Sequence, residues 1–243
     1  MRYFITLSYD GTNYHGWQVQ PGADSVQARL NDALTKLLGG EPTECVGAGR
    51  TDAGVHASMM VAHFDTERQL DCEQFAYRLN RIVPRDIAIQ KVEHVDDGMH
   101  ARFGATQRTY HYFVYTQKNP YRRHYAVQLH FTPDYEAMNE AAAILLDTSD
   151  FTSFSKLNND QKTNICHVSR AQWVQVEGDM WRFEITANRF LRNMVRAVVG
   201  TLLEVGRGRM TKDEFRRVID QKDRCSAGES VPGNALFLVD IRY

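Results

Sequence analysis

No run of about 18 apolar residues occurs anywhere in the 243-residue chain, so nothing in it reads as a membrane-spanning helix. The first segment, MRYFITLSYDGT, has neither a long apolar core nor a small-residue cleavage site, which predicts a soluble, unexported protein. The four cysteines, at positions 45, 72, 166 and 225, form no C-x-x-C pair. Their spacing excludes a zinc knuckle and a disulfide framework and points to a reducing, cytoplasmic setting. The nine histidines are scattered and no H-E-x-x-H occurs, so no metal is expected. No low-complexity segment or long linker divides the chain.

What is present suits a globular protein, since a 43% hydrophobic content can fill a proper core. The net charge of -1 disfavours a nucleic-acid partner until its distribution is read. Residues 78–124 and 182–217 each carry nine Lys or Arg against four Asp or Glu. Many of these are arginines interleaved with aromatics: Arg102, Arg108, Tyr110, His111, Tyr112, Arg122, Arg123, Tyr125. That mixture pairs with phosphates and stacks on bases, so a local basic groove is expected.

Along the chain, Ile5–Tyr9 alternates as a strand and stops at Asp10-Gly11. Ser25 caps a helix carrying Val26, Leu30, Ala33, Leu34 and Leu37 on one face, and Asp71 with Gln74 starts another that Pro84 ends. Strands are expected at 59–64, 87–92, 109–115 and 235–241, with a hairpin of 171–176 and 181–187. Asp134 opens a helix over 135–146, and Thr211 with Glu214 caps the last one. The most regular helix is expected to start near Arg189, with Phe190, Met194, Ala197, Val198, Thr201, Leu202 and Val205 as its apolar stripe and Arg192 and Arg196 together on one side. The reading is α+β: two similar, intimately joined halves, 1–104 and 105–243, with a mostly antiparallel sheet.

The stretch GAGRTDAGVHA, residues 47–57, sets one carboxylate, Asp52, beside Arg50 on a backbone loosened by Gly47, Gly49 and Gly54. Its composition suits an ordinary turn. It fits neither G-x-x-x-x-G-K-[ST] nor G-x-G-x-x-G, so a nucleotide-phosphate loop is not expected. A catalytic carboxylate on a loop that admits a bulky substrate is the third reading.

Five blocks decide among them: YDGTNYHGWQVQ (9–20), GAGRTDAGVHA (47–57), HARFGATQRTYHY (100–112), DFTSF (150–154) and FLRNMVRAVVGTLLEVGRG (190–208). Together, in this order, they resemble the tRNA pseudouridine synthase A family along almost the whole chain. The resemblance implies the pseudouridine synthase fold, a continuous mixed sheet flanked by helices. It also implies isomerisation of uridine to pseudouridine in the tRNA anticodon stem-loop, around positions 38–40, by a homodimer needing no cofactor and no metal. Asp52 is then the catalytic carboxylate, attacking the sugar C1′ or the uracil, or drawing a proton from C2′. Arg196 becomes the cation that keeps Asp52 ionised. Tyr110 becomes the aromatic that stacks on the flipped base, although a core tyrosine on the same strand face as Tyr112 is the competing reading. Arg50 is assigned to base eviction, and Arg102, Arg108 and Arg192 to RNA contact. Met99 and the terminal ALFLVDIRY depart from the family pattern, which leaves the role of the 225–234 loop undefined. Two alternatives stand beside this reading: a pseudouridine synthase for other RNA positions, or a non-catalytic tRNA-binding or RNA-folding protein.

Overall fold

The computed structural model describes residues 1–156 and 163–243. In chain order the strands are β1 (Arg2–Tyr9), β2 (Val46–Gly47), β3 (His56–Asp65), β4 (Ile87–Val95), β5 (Gln107–Tyr115), β6 (Val127–Gln128), β7 (Val168–Glu177), β8 (Met180–Ala187) and β9 (Leu236–Arg242). The helices are α1 (Val26–Leu37), α2 (Cys72–Ile82), α3 (Tyr135–Ala142), α4 (Met194–Gly206) and α5 (Lys212–Gln221). This is a mixed α+β fold, and the chain divides into two compact units.

The first unit is Met1–Thr106 together with Phe237–Tyr243. The final strand therefore returns to the first half, whereas chain order alone assigned it to the second. Within this unit β1 lies between β3 and β4, antiparallel to both. β9 adds parallel to β3, with His56 opposite Phe237, and β2 pairs with the other end of β3. Stacked rings tie the layers together, Tyr3 to Phe64 at 5.6 Å and Phe64 to Phe75 of α2 at 5.9 Å. Burying a ring of this size stabilises by about 1.5–3 kcal/mol. The side chain of Asn80 on α2 exchanges two 2.8 Å hydrogen bonds with the backbone of Ile89, which fixes the helix against β4. Ser25 and Asp71 cap α1 and α2 by accepting from the N–H groups of Ala28 and Gln74.

The second unit is Gln107–Leu236. β8 lies between β5 and β7 as an antiparallel meander, and β6 adds parallel to β5. The helix expected over 135–146 tightens into a 3-10 turn from Ala143 to Leu146. α4 is apolar nearly all round and almost wholly buried, as a central helix should be. It starts at Met194 and not near Arg189. Asn193 sits in the left-handed region at φ 67, so Phe190 and Arg192 precede the helix and Arg192 does not share a helical face with Arg196.

The β7–β8 turn carries a polar hub. The carboxylate of Asp179 accepts from the N–H of Gln117 (2.6 Å) and of Thr116 (2.8 Å) and pairs with Arg122 at 2.8 Å. These partners, the Gln117 N–H foremost, hold the carboxyl down to about 2. A depressed carboxylate stabilises the fold above the ordinary carboxylate range and loses that contribution as pH falls toward 2. Asp179→Asn is therefore expected to lower stability by about 2 kcal/mol at pH 7. Denaturant melts of both proteins should show the gap narrowing as pH is taken below about 4, and a gap independent of pH would refute the charge argument.

Candidate active site

Asp52 lies half-buried in the loop between β2 and β3, and this loop is braced by the 9–17 segment. Thr51 is the centre of the bracing: its Oγ1 is 3.0 Å from Tyr9 Oη and accepts from Trp17 N–H at 3.1 Å. Gly54, at φ +74, donates its N–H to Tyr14 O, and Ala48 donates to Val61 O. Two glycines permit this approach. A Cβ on Gly16, whose φ is +91, would lie 2.1 Å from Thr51 O, and one on Gly47 would enter the Trp17 ring at 2.4 Å. The first and second sequence blocks are thus two faces of one structure, packed more closely than any side chain would allow. At the end of the loop, buried His56 accepts the Gly11 N–H at Nδ1 (2.9 Å), with Asp10 Oδ1 3.1 Å away, and stacks on Phe237 at 4.6 Å. Arg50, in the same loop as Asp52, is exposed.

In the second unit, Tyr110 projects from β5 at 9% exposure with Phe190 edge-on at 5.1 Å and 89°. Phe190, expected on the α4 stripe, is therefore a wall for this tyrosine. Tyr112, on the same strand face, is wholly buried and donates to Pro232 O at 3.1 Å. Burial pushes its hydroxyl well above the ordinary tyrosine value. Arg196, in the first turn of α4, donates from Nε to Val231 O at 2.7 Å, and Val231 N–H returns a bond to Arg196 O. Helix and 228–231 strap fit tightly, since a Cβ on Gly200 would sit 1.8 Å from Glu229 O. Arg108 donates to Asn188 O at 2.8 Å, and the carbonyl of exposed Arg192 accepts the Lys156 N–H. Arg102 is exposed in the first unit.

Several cations of the second basic window are held in ion pairs. Within 182–217, Arg182 pairs with Glu184, Arg207 and Arg209 with Glu204, Lys212 with Glu140 and Arg217 with Glu214. Glu184 is buried and is also paired with Arg170. Glu184, Glu204 and Glu214 lie inside the window and are already subtracted in its balance, so these pairs decide which cations are held by the fold and leave the excess of positive charge as it was. Among the described residues no group of three or more His, Cys, Asp and Glu could hold a metal ion. Sequence reasoning had not singled out Thr51, Trp17 or Gly16 as parts of a site, although all three stand inside the conspicuous blocks.

Comparison with known proteins accords with this arrangement. The family model described as tRNA pseudouridine synthase matches residues 5–104 and 141–243. A protein named tRNA pseudouridine synthase A from Bacteroides thetaiotaomicron is 59% identical over 244 residues, covering 100% of this chain and 90% of that protein. Its namesake in Bacteroides fragilis is 57% identical, covering 100% of this chain and 96% of its own. The one in Bacillus subtilis is 41% identical over 246 residues, covering 100% and 99%. With its blocks folded as one braced carboxylate loop and one walled tyrosine, and with relatives matching from end to end, the chain belongs to the tRNA pseudouridine synthase family.

Proposed function

We propose that this protein isomerises uridine to pseudouridine in the anticodon stem-loop of tRNA, around positions 38–40, working in the cytoplasm as a homodimer without metal or cofactor. In that reaction the N1–C1′ bond breaks and a C5–C1′ bond forms, while C5 loses a proton and N1 gains one. No electrons change hands, so the chemistry asks only for an ionised carboxylate, a pocket for the turned base and a grip on the RNA. The single observation that carries the reading is the Asp52 loop, a carboxylate on a backbone fixed by Thr51, Gly16 and Gly54. Such bracing supports a group that must meet a substrate at a set angle. Arg196 is assigned the role of keeping that carboxylate charged, and its hold on Val231 fixes where its guanidinium starts. Arg50, Arg102, Arg108 and Arg192 are assigned to the RNA, chiefly its phosphates, which position a stem without reading its sequence.

Tyr110 is assigned to stacking on the extruded base. Its wall, Phe190, holds the ring at right angles and so fixes its plane. Tyr110→Phe is expected to keep most turnover, while Tyr110→Leu loses the roughly 1–3 kcal/mol of stacking and with it about 5- to 150-fold in rate. Equal rates in the two variants would return Tyr110 to a packing role.

The test of the whole reading is pseudouridine mapping on unmodified tRNA incubated with the purified protein. Pseudouridine at 38–40 upholds it. Modification elsewhere points to another substrate position, and tight binding without modification to an RNA-folding role.

A further inference from the structure

The HARF block (100–103) is organised by its own contacts. Residues His100–Gly104 form a turn whose backbone is held at each step. Ala101 N–H donates to Nδ1 of His63 (3.2 Å), and Arg102 and Phe103 N–H both donate to Nδ1 of His100 (3.1 and 3.2 Å). Gly104 N–H donates to His100 O (2.8 Å), and Tyr243 Oη donates to Ala101 O (2.8 Å). His63 is buried on β3, and burial beside Arg2 pushes it down to about 4, so it stays a neutral acceptor at working pH.

This bracket holds Phe103 out into water, with 78% of the residue exposed. The ring leans on His100 at 4.4 Å, and the Arg102 guanidinium stands 5.7 Å from its centroid. Lone exposed apolar residues are common and usually mean nothing. Here a phenyl ring, an imidazole and a guanidinium are presented together on a backbone with five fixed hydrogen bonds. A flat aromatic beside a guanidinium is the arrangement that takes the face of an unpaired base while meeting a neighbouring phosphate.

The place of the bracket along the sheet is equally specific. Phe237 stacks on His56 next to the Asp52 loop, and Tyr243, just past the end of β9, packs on Phe4 at 5.2 Å. His56 and His63 are seven positions apart on β3 with a register shift between them, so at most about 23 Å separates them at about 3.3 Å per residue. The bracket that carries Phe103 is thus anchored at the end of β3 away from the Asp52 loop.

We infer that Phe103, held by His63 and His100, is a further RNA contact that stacks on an unpaired base of the bound tRNA other than the reacting uridine. The inference rests on the tRNA reading of the site and adds to it a distant anchoring point. Phe103→Ala should weaken tRNA binding by about 5- to 100-fold, leave the single-turnover rate at saturating tRNA within about twofold, and leave the melting temperature unchanged because the ring is exposed. Phe103→Tyr should bind as the parent does. A photoreactive benzoylphenylalanine at position 103 should crosslink to one unpaired tRNA base. Parent-like affinity in Phe103→Ala, or a crosslink only to another protein chain, would overturn the inference. Failure of the parent to make pseudouridine in the anticodon stem-loop, with the Phe103→Ala binding defect still present, would instead overturn the functional reading and leave the RNA contact standing.

Discussion

Asp52→Asn will bind tRNA within about twofold of the parent and make no detectable pseudouridine, a loss of at least about 10,000-fold. The amide matches the carboxylate in size but is neither a base nor a useful nucleophile. The loop will stay in place, because its bracing runs through Thr51, Gly54 and Ala48. Pseudouridine should be counted under single turnover with enzyme in excess, so that slow product release cannot hide the chemical step. Residual turnover above background in a preparation free of parent enzyme would remove Asp52 from the mechanism. The same variant separates catalysis from RNA folding, since a non-catalytic protein has no reason to depend on this carboxylate.

Gly16→Ala should come next in severity, although Gly16 touches no substrate in the proposed mechanism. A methyl group there would meet the backbone oxygen of Thr51 at 2.1 Å, and a φ of +91 is strained for alanine in any case. Backbone cannot rotate away as a side chain can, so the 9–17 segment and the Asp52 loop must separate. We expect about 3 kcal/mol or more of destabilisation, seen as a melting temperature lower by roughly 6–12 °C. At a temperature where the variant is still folded, turnover should fall about 100-fold, the usual consequence of a displacement near 1 Å in a reacting group. Gly22→Ala is the matched control. Gly22 also has positive φ, but its added methyl group would meet nothing within 4 Å, so it should lose stability alone. Parent-like turnover in folded Gly16→Ala would show that the contact does not position Asp52.

Much of the fold was legible because its signals are local. Ser25, Asp71, Asp134 and Thr211 cap helices with their own side chains, and the alternation in β1, β5, β7 and β8 needs no partner to be read. What could not be read depends on residues distant in sequence. β2 and β6 are two residues each and exist only through the strands they join. The start of α4 was misplaced because the apolar stripe continues back through Phe190, while the left-handed turn at Asn193 leaves periodicity undisturbed. In the site, Asp52 and Tyr110 stand out as residue types in recognisable blocks. Thr51 and Trp17 do not, since their roles lie in a contact across 34 positions that neither block contains alone. Ion pairs such as Arg209 with Glu204 were equally hidden, since which cation meets which acid depends on the folded chain.

The return of Phe237–Tyr243 to the first unit has a consequence for how the chain is made. During synthesis, residues 1–106 leave the ribosome with part of β3 lacking its neighbour at His56 and Ala57, and the bracket at Ala101 lacking the Tyr243 hydroxyl. Another 130 residues, the whole of the second unit, must emerge before that edge is closed. At about 5–20 residues per second this is a wait of roughly 7 to 26 seconds, during which an unpaired strand edge is open to pairing with other chains. The first unit is begun first and finished last, so the second unit has time to fold before the first is sealed.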